Sequence, residues 1–423
     1  MMTESDQSLE SEAGEPTPTP AAARPVTKAQ RIVTLDVLRG FAVLGILVMN
    51  IQSFAMPNAA YVNPTAYGDL SGANLVVWLV SHVLADQKFM TIFSLLFGAG
   101  IALMAGRMKA RGTSGWYLHL RRMGGLLVIG MIHAYGIWGG DILVTYAVCG
   151  VVVFSCRNWS PRSLVVTAVA VLCVPMLFST LGAVSIPDWP AAAVAETDAD
   201  WQPDAQLLAD EIAAYRGSWW QQMEYRKELA RFFQGPAFLL WTLWRAGGLM
   251  LLGMAAFKLG ILSGERSRRF YRNLTAGGLG LGIPIVAVGV VLHFEHGWDW
   301  RWSYFIGSFP NYLGSLLIAA GYVGWVVGAS AAGRMFLQKS LAAAGQMAFT
   351  NYLGQSILCT LLHYGHGLGW FGSVERTGQA AVVIAVWIFQ LLVSNWWLAR
   401  FRFGPAEWLW RSMSYGRLQP MRR

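Results

Sequence analysis

The sequence predicts an all-α fold, a polytopic transmembrane helical bundle, and three observations carry that prediction. Of 423 residues, 55% are hydrophobic and only 13% are charged, too little charge to cover a soluble surface at this length. Apolar segments long enough to cross a bilayer recur from residue 32 to residue 399. Lys and Arg gather in alternate linkers between them, as the positive-inside rule requires. The 20 Trp and 14 Tyr residues add side chains suited to anchoring helices at headgroup level.

Residues 1–30 read as a disordered cytoplasmic tail, because the first 23 are acidic, Pro/Ala-rich and poor in apolar bulk. The apolar segment from Ile32 is longer than a signal-peptide core, so a first span is expected there and not a cleaved leader. About ten spans follow from hydropathy and length: 32–54, 88–106, 122–138, 141–156 and 163–183 in an N-terminal bundle (31–183), then 237–257, 273–292, 308–328, 341–363 and 378–399 in a C-terminal bundle (237–402). Counted this way, every basic linker falls on one side. These linkers hold Arg24, Lys28 and Arg31; Arg107, Lys109, Arg111, Arg121 and Arg122; Arg157 and Arg162; Lys258, Arg266, Arg268, Arg269 and Arg272; Arg334 and Lys339; Arg400 and Arg402. The opposing linkers 56–73, 293–307 and 364–377 have no such excess. The expected protein is therefore a multi-pass component of the cytoplasmic (inner) membrane with both termini in the cytoplasm.

Residues 184–236 form an outer-side helical insertion. It opens with an irregular acidic stretch and continues into two amphipathic helices, 205–216 and 219–233. Such elements lie in the interface as a strap or shield a cavity from outside. Residues 73–86 are apolar but short, so they run obliquely into the second span or continue it as one long helix; Lys88 snorkels and Asp86 needs a partner or water. The C-terminal 403–423 segment, with Trp408, Trp410, Arg411 and Arg417, reads as a cytoplasmic interfacial tail.

Three polar constellations stand out in this apolar chain. Asp36 and Arg39 share one face of the first helix, where they pair with each other or open a polar site toward one membrane face. His133 sits inside an apolar segment, past its middle toward the outer face, and Asp141 opens the next helix across a Gly139-Gly140 turn. A carboxylate there can hold the imidazole in one tautomer for acid–base chemistry, or the two can be an interhelical hydrogen-bond donor and a cap. The run Gly345–Ser356 places Gln346, Thr350, Asn351, Gln355 and Ser356 at near-helical intervals. Those groups bond neighbouring helices or recognise a substrate.

The remaining candidates point to packing. Cys149, Cys156, Cys173 and Cys359 read as small hydrophobes, and His82 and His119 as interfacial residues. His293, Glu295, His296 and Asp299 cluster without the helical His pair of zinc proteases, so no metal site is assigned. His363 and His366 read as loop and interface residues. The basic excess sets membrane topology, and no nucleic-acid partner is expected.

Six ordered segments carry a family resemblance: LDVLRGFAVLGILVMN at 35–50, KFMTIFSLLFGAG at 88–100, GMIHAYGIWGGDILVTYA at 130–147, LMLLGMAAFKLGIL at 249–262, GQMAFTNYLGQS at 345–356 and SNWWLARFRFGPAEWLWRSMSYG at 394–416. Across nearly all the chain after the tail, the sequence resembles the DUF418, or YeiB-like, membrane proteins. That family looks related to membrane-bound acyltransferases, the acyltransferase-3-like superfamily, which includes polysaccharide O-acetyltransferases. The resemblance implies a cytoplasmic acyl donor and an acceptor modified across the membrane. Arg39 matches the arginine of the first-helix motif, and His133 and Asp141 match the histidine and GD elements.

The function expected from the sequence is acyl transfer, of acetyl or a related short group, from an acyl-CoA-like donor to an envelope carbohydrate or small molecule. No tightly bound cofactor is expected. In that scheme His133 is the general base and Asp141 orients it, while Arg39, Asp36, Asn351 and Gln355 hold the donor. The alternatives are a transporter or exporter of a lipid or small molecule, and a membrane scaffold.

Overall fold

The computed structural model describes residues 31–423; the tail assigned to residues 1–30 lies outside the described residues. Among those described, the regular elements are helices, and an isolated antiparallel bridge joins Phe401 to Arg422. In chain order they begin with α1 (Val33–Ala55), α2 (Ala59–Val62), α3 (Gly72–Leu84), α4 (Lys88–Lys109), α5 (Trp116–Gly136), α6 (Leu143–Phe154) and α7 (Pro161–Ser185). Next come α8 (Ala191–Trp201), α9 (Ala205–Arg216) and α10 (Gln222–Gln234), then α11 (Leu243–Lys258), α12 (Arg268–Glu295), α13 (Trp300–Ser303) and α14 (Phe309–Ala331). The chain finishes with α15 (Gln338–Gln346), α16 (Ala348–His363), α17 (Arg376–Arg400) and α18 (Pro405–Tyr415).

Seven helical runs among the described residues are long and apolar enough to cross a membrane, which makes the protein an all-α polytopic membrane bundle. Three of the ten expected spans fall short. Helix α5 carries His119, Arg121 and Arg122 in its first turns, and α6 has only 12 residues. The 341–363 segment breaks at Met347, which leaves helices of 9 and 16 residues. Conversely, two runs are longer than expected, 72–109 through α3 and α4, and 222–258 through α10, a π turn and α11.

Helix α1 is central. Its Gly40 lies against the Leu341 carbonyl of α15, while Gly345 of α15 lies against the Asp36 carbonyl of α1. A Cβ on either glycine would overlap backbone oxygen, so the small-residue rule for close helix packing explains both.

The α3–α4 junction decides between the two readings of 73–86 and corrects that of Lys88. The helices are separate, and the turn between them includes Gln87 in the left-handed conformation with φ 62°. Lys88 does not snorkel: it is fully buried, donating to the His82 carbonyl at 2.8 Å and to Asn311 Oδ1 at 2.6 Å. Asn311 Nδ2 in turn donates to Asp86 at 2.6 Å, so the amide of α14 bridges the two charges. Arg245 of α11, also fully buried, donates to Ser315 Oγ at 2.7 Å and packs its guanidinium over the Tyr312 ring. Buried cations of this kind are retained only with such partners.

Residues 184–236 are helical throughout much of their length, and the acidic stretch expected to be irregular forms α8. Its Ala-rich start favours helix over the turns that Asp alone would promote. Glu211 of α9 is buried, accepts the Asn58 N–H at 3.0 Å, and is pushed by burial to a pKa of about 7.

Candidate functional site

Helix α5 ends at Gly136, and its last turn presents His133 to the start of α6. The chain returns through Gly139 and Gly140, so Asp141 stands just before α6, where its Oδ2 accepts the exposed Val144 N–H at 2.9 Å. The helix N-terminus thereby anchors the carboxylate. Its other oxygen, Oδ1, lies 2.8 Å from His133 Nδ1, so the contact permitted by the eight-residue spacing is made.

The second imidazole nitrogen, Nε2, lies 2.9 Å from Ser356 Oγ on α16. His133 and Ser356 are each 1% exposed and Asp141 is 6% exposed. A carboxylate accepts only, so the Nδ1 proton is donated to Asp141 and Nε2 carries the lone pair. In the neutral imidazole the Ser356 hydroxyl faces that lone pair at 2.9 Å, and the Tyr352 carbonyl, 3.5 Å from Oγ, is its other acceptor. Serine, imidazole and carboxylate form one directed relay across three helical segments.

Two aromatic side chains wall the imidazole. The Tyr352 ring centroid lies 5.3 Å away and the Trp138 ring centroid 6.2 Å away. Both polar atoms are buried and their hydrogens meet no acceptor: Trp138 Nε1, and Tyr352 Oη, which the Ile142 N–H faces. Buried donors are normally satisfied, and exceptions cluster where a ligand or water belongs.

Helix α16 is held rigidly around this point. Gln355 Nε2 donates to the Val43 carbonyl of α1 at 2.9 Å and to Gln390 Oε1 at 3.0 Å. Gln390 returns a bond to the Asn351 carbonyl at 2.8 Å, and Asn351 Nδ2 donates to the Ala344 carbonyl and Ser394 Oγ, both at 3.1 Å. The amide hydrogens of Asn351 and Gln355 are thus engaged with neighbouring helices. The N-terminus of α16 has no cap of its own, and Glu407 of α18 supplies one by accepting the Phe349 N–H at 2.7 Å and the Thr350 N–H at 3.2 Å.

The far end of the His133 hairpin is closed by α10 and the turn that precedes it. Trp219 Nε1 donates to the Gly136 carbonyl at 2.9 Å, and the buried Arg226 guanidinium faces the Tyr135 and Gly136 carbonyls at 3.4 Å. These carbonyls are the unpaired ones at the end of α5, where cationic donors are favoured.

Asp36 and Arg39 form an ion pair at 3.2 Å, with the Arg39 side chain one-third exposed. They are not in the relay but lie near its level. Gln355, adjacent to Ser356, reaches Val43, and Arg39 is four residues earlier on α1, about 6 Å by helical rise. Arg122 of α5 lies close enough to Arg39 for the two charges to interact. His133 is eight residues beyond Gly125, which faces Trp410 and Met413 of α18, and Ser356 is eight residues beyond the start of α16. Both distances are about 12 Å by rise, whereas His133 stands only three residues before the end of α5 at Gly136.

Other sequence candidates take up packing positions. His293 stacks on Trp298 and bonds Ser303 Oγ at 3.0 Å, while His296 stacks on Trp302. His119 is buried and bonds the Gly150 carbonyl at 2.9 Å. Among the described residues no group of three or more His, Cys, Asp or Glu side chains is placed to hold a metal ion. Ser356 was visible in the sequence only as one member of a polar run, and Glu407, Tyr352 and Trp138 gave no separate signal.

The fold and site define a polytopic helical membrane protein whose core encloses a Ser–His–Asp relay. The family model described as "Protein of unknown function (DUF418)" matches residues 256–417. The chain is 33% identical over 394 residues to "Uncharacterized protein YeiB" of Escherichia coli (strain K12), covering 91% of this chain and 96% of that protein. It is 30% identical over 415 residues to "Uncharacterized protein YxaH" of Bacillus subtilis (strain 168), covering 95% and 98% respectively. The chain belongs to the DUF418/YeiB-like family.

Proposed function

We propose that the protein is a membrane-bound acyltransferase that moves a short acyl group from an acyl-CoA-like donor to a hydroxyl or amine of an envelope carbohydrate or small molecule. The observation that supports this reading is the buried His133–Asp141 pair, whose imidazole directs its lone pair at a hydroxyl. General-base catalysis requires a base within hydrogen-bond reach of the proton it takes, and this pair satisfies that geometry. His133 Nε2 accepts the proton of an attacking hydroxyl and returns it to the departing thiolate, while Asp141 holds the ring and stabilises the imidazolium.

In this proposal the basic linkers face the cytoplasm, as in a ten-span inner-membrane topology, so α18 lies on the cytoplasmic side and the 184–236 insertion outside. Arg39, held by Asp36 and accompanied by Arg122, receives the anionic end of the donor. Asn351 and Gln355 contribute by fixing α16. The relay is shielded from solvent in this conformation, so substrate access requires the surrounding helices to part. Kinship to the wider acyltransferase superfamily belongs to the same proposal.

The test is transfer of radiolabelled acetyl from acetyl-CoA in membranes containing the full chain, assayed against extracted envelope glycans. His133→Ala is expected to lower transfer by about 10²–10⁴-fold, and Arg39→Gln to raise the donor concentration needed for half-maximal rate. Wild-type transfer undiminished by His133→Ala would refute the assignment.

A further inference from the structure

We propose that Ser356 is the nucleophile of a double-displacement reaction and carries the acyl group as an ester between donor and acceptor. This rests on the acyl-transfer reading and sharpens it, because a general base alone does not require a protein hydroxyl at its open nitrogen. Ser356 occupies that nitrogen at 2.9 Å, nearer than its other acceptor, the Tyr352 carbonyl at 3.5 Å, and Asp141 fixes the tautomer that leaves Nε2 open to it. An imidazole oriented by a carboxylate and bonded to a serine hydroxyl is the arrangement that activates serine as a nucleophile, and it is recognised by geometry on unrelated folds.

A second observation is independent of the relay. An acyl nucleophile needs donors for the oxyanion that forms as it attacks. Tyr352 Oη and Trp138 Nε1 are both buried beside the His133 ring, and neither donates its hydrogen to an acceptor. Tyr352 lies one helical turn before Ser356, on the same face of α16. An interhelical hydrogen bond kept only for packing gives no reason for two unfilled donors at this point.

The chemistry balances in two halves. Ser356 Oγ attacks the thioester carbonyl as His133 Nε2 takes its proton; the C–S bond breaks, and the proton passes from the imidazolium to the thiolate. The acceptor hydroxyl or amine then attacks the serine ester while His133 takes its proton. The ester C–O bond breaks, and Ser356 Oγ leaves with that proton. No oxidant or reductant is involved.

The first test uses a biotinylated fluorophosphonate, which reacts with activated serines whatever the natural substrate. It is applied to the full-length protein in lipid nanodiscs, with peptide mass spectrometry to locate the adduct. An adduct on Ser356, absent in Ser356→Ala and formed at least about tenfold more slowly in His133→Gln, is expected. No wild-type adduct at Ser356, or equal labelling in His133→Gln, would overturn the proposal. Thermal unfolding of each variant separates loss of fold from loss of reactivity.

A second measurement separates this inference from the reading beneath it. Incubation with acetyl-CoA is expected to leave a hydroxylamine-labile acetyl group on Ser356, and Ser356→Ala to lose transfer by about 10³-fold or more. If Ser356→Ala transferred acetyl at the wild-type rate, the nucleophile would fall and acyl transfer would stand. If the fluorophosphonate adduct formed but acetyl-CoA gave no transfer, the activated serine would stand and the acyl-CoA reading would fall.

Discussion

Glu407 Oε2 accepts the Thr350 hydroxyl at 2.6 Å, while its other oxygen accepts two backbone N–H groups at the start of α16. A carboxylate on one helix thus ends another, and that second helix carries Ser356. Replacing Glu407 by Ala is expected to cost about 0.5–2 kcal/mol, the range for a lost helix cap. Hydrogen exchange is expected to rise first at residues 349–352. If exchange there were unchanged while α18 loosened, the cap would be incidental.

The contact of Gly345 with the Asp36 carbonyl leaves no room for a methyl group. Gly345→Ala is expected to push α1 and α15 apart at a cost of about 1–3 kcal/mol. It should lower the thermal transition in detergent and weaken the Asp36–Arg39 ion pair together with it. Gly354→Ala is the control, because a Cβ there meets nothing within 4 Å.

Lys88 is expected to be less replaceable than an end-of-helix lysine. Lys88→Met removes the cation that Asn311 links to Asp86 and leaves the carboxylate with Asn311 and with His82 at 3.6 Å. Removing one member of a buried charge pair typically costs about 3–5 kcal/mol. The double variant Lys88→Met, Asp86→Asn should recover much of that loss, and additive losses in the cycle would show that the two charges are not coupled.

Glu211 gives a pH signature outside the membrane-crossing runs. Burial raises its folded-state pKa from the ordinary 4.5 to about 7, so between those values the folded chain holds a proton that the unfolded chain has released. Its contribution to stability is therefore greatest at acidic pH and falls as pH rises from about 4.5 to 7. Protease resistance of the α9 segment should decline across that window in the wild type and be flatter in Glu211→Gln. Matching curves would remove Glu211 as the cause.

Much of this fold was legible because membrane helices announce themselves by length and hydropathy. Where the reading departed from the structure, a local rule gave way to a tertiary partner. Lys88 near a helix end reads as a snorkelling residue, but Asn311, 223 residues away, offers a buried acceptor. The 341–363 segment reads as one span because Met347, where it breaks, is not a residue that ends helices. His133 and Asp141 were within reach of each other on spacing alone. Ser356 was not, because no short-range pattern records which helix a polar residue will meet.

The relay also has a timetable. His133 and Asp141 are eight residues apart, so their hairpin can close soon after both leave the ribosome, but Ser356 follows His133 by 223 residues. At synthesis rates of roughly 5–20 residues per second, that interval is about 10–45 s. Throughout it the growing chain carries an oriented imidazole with an unfilled acceptor. Docking of α16 fills it, so the bond that completes the relay also records that the C-terminal helices have found their place.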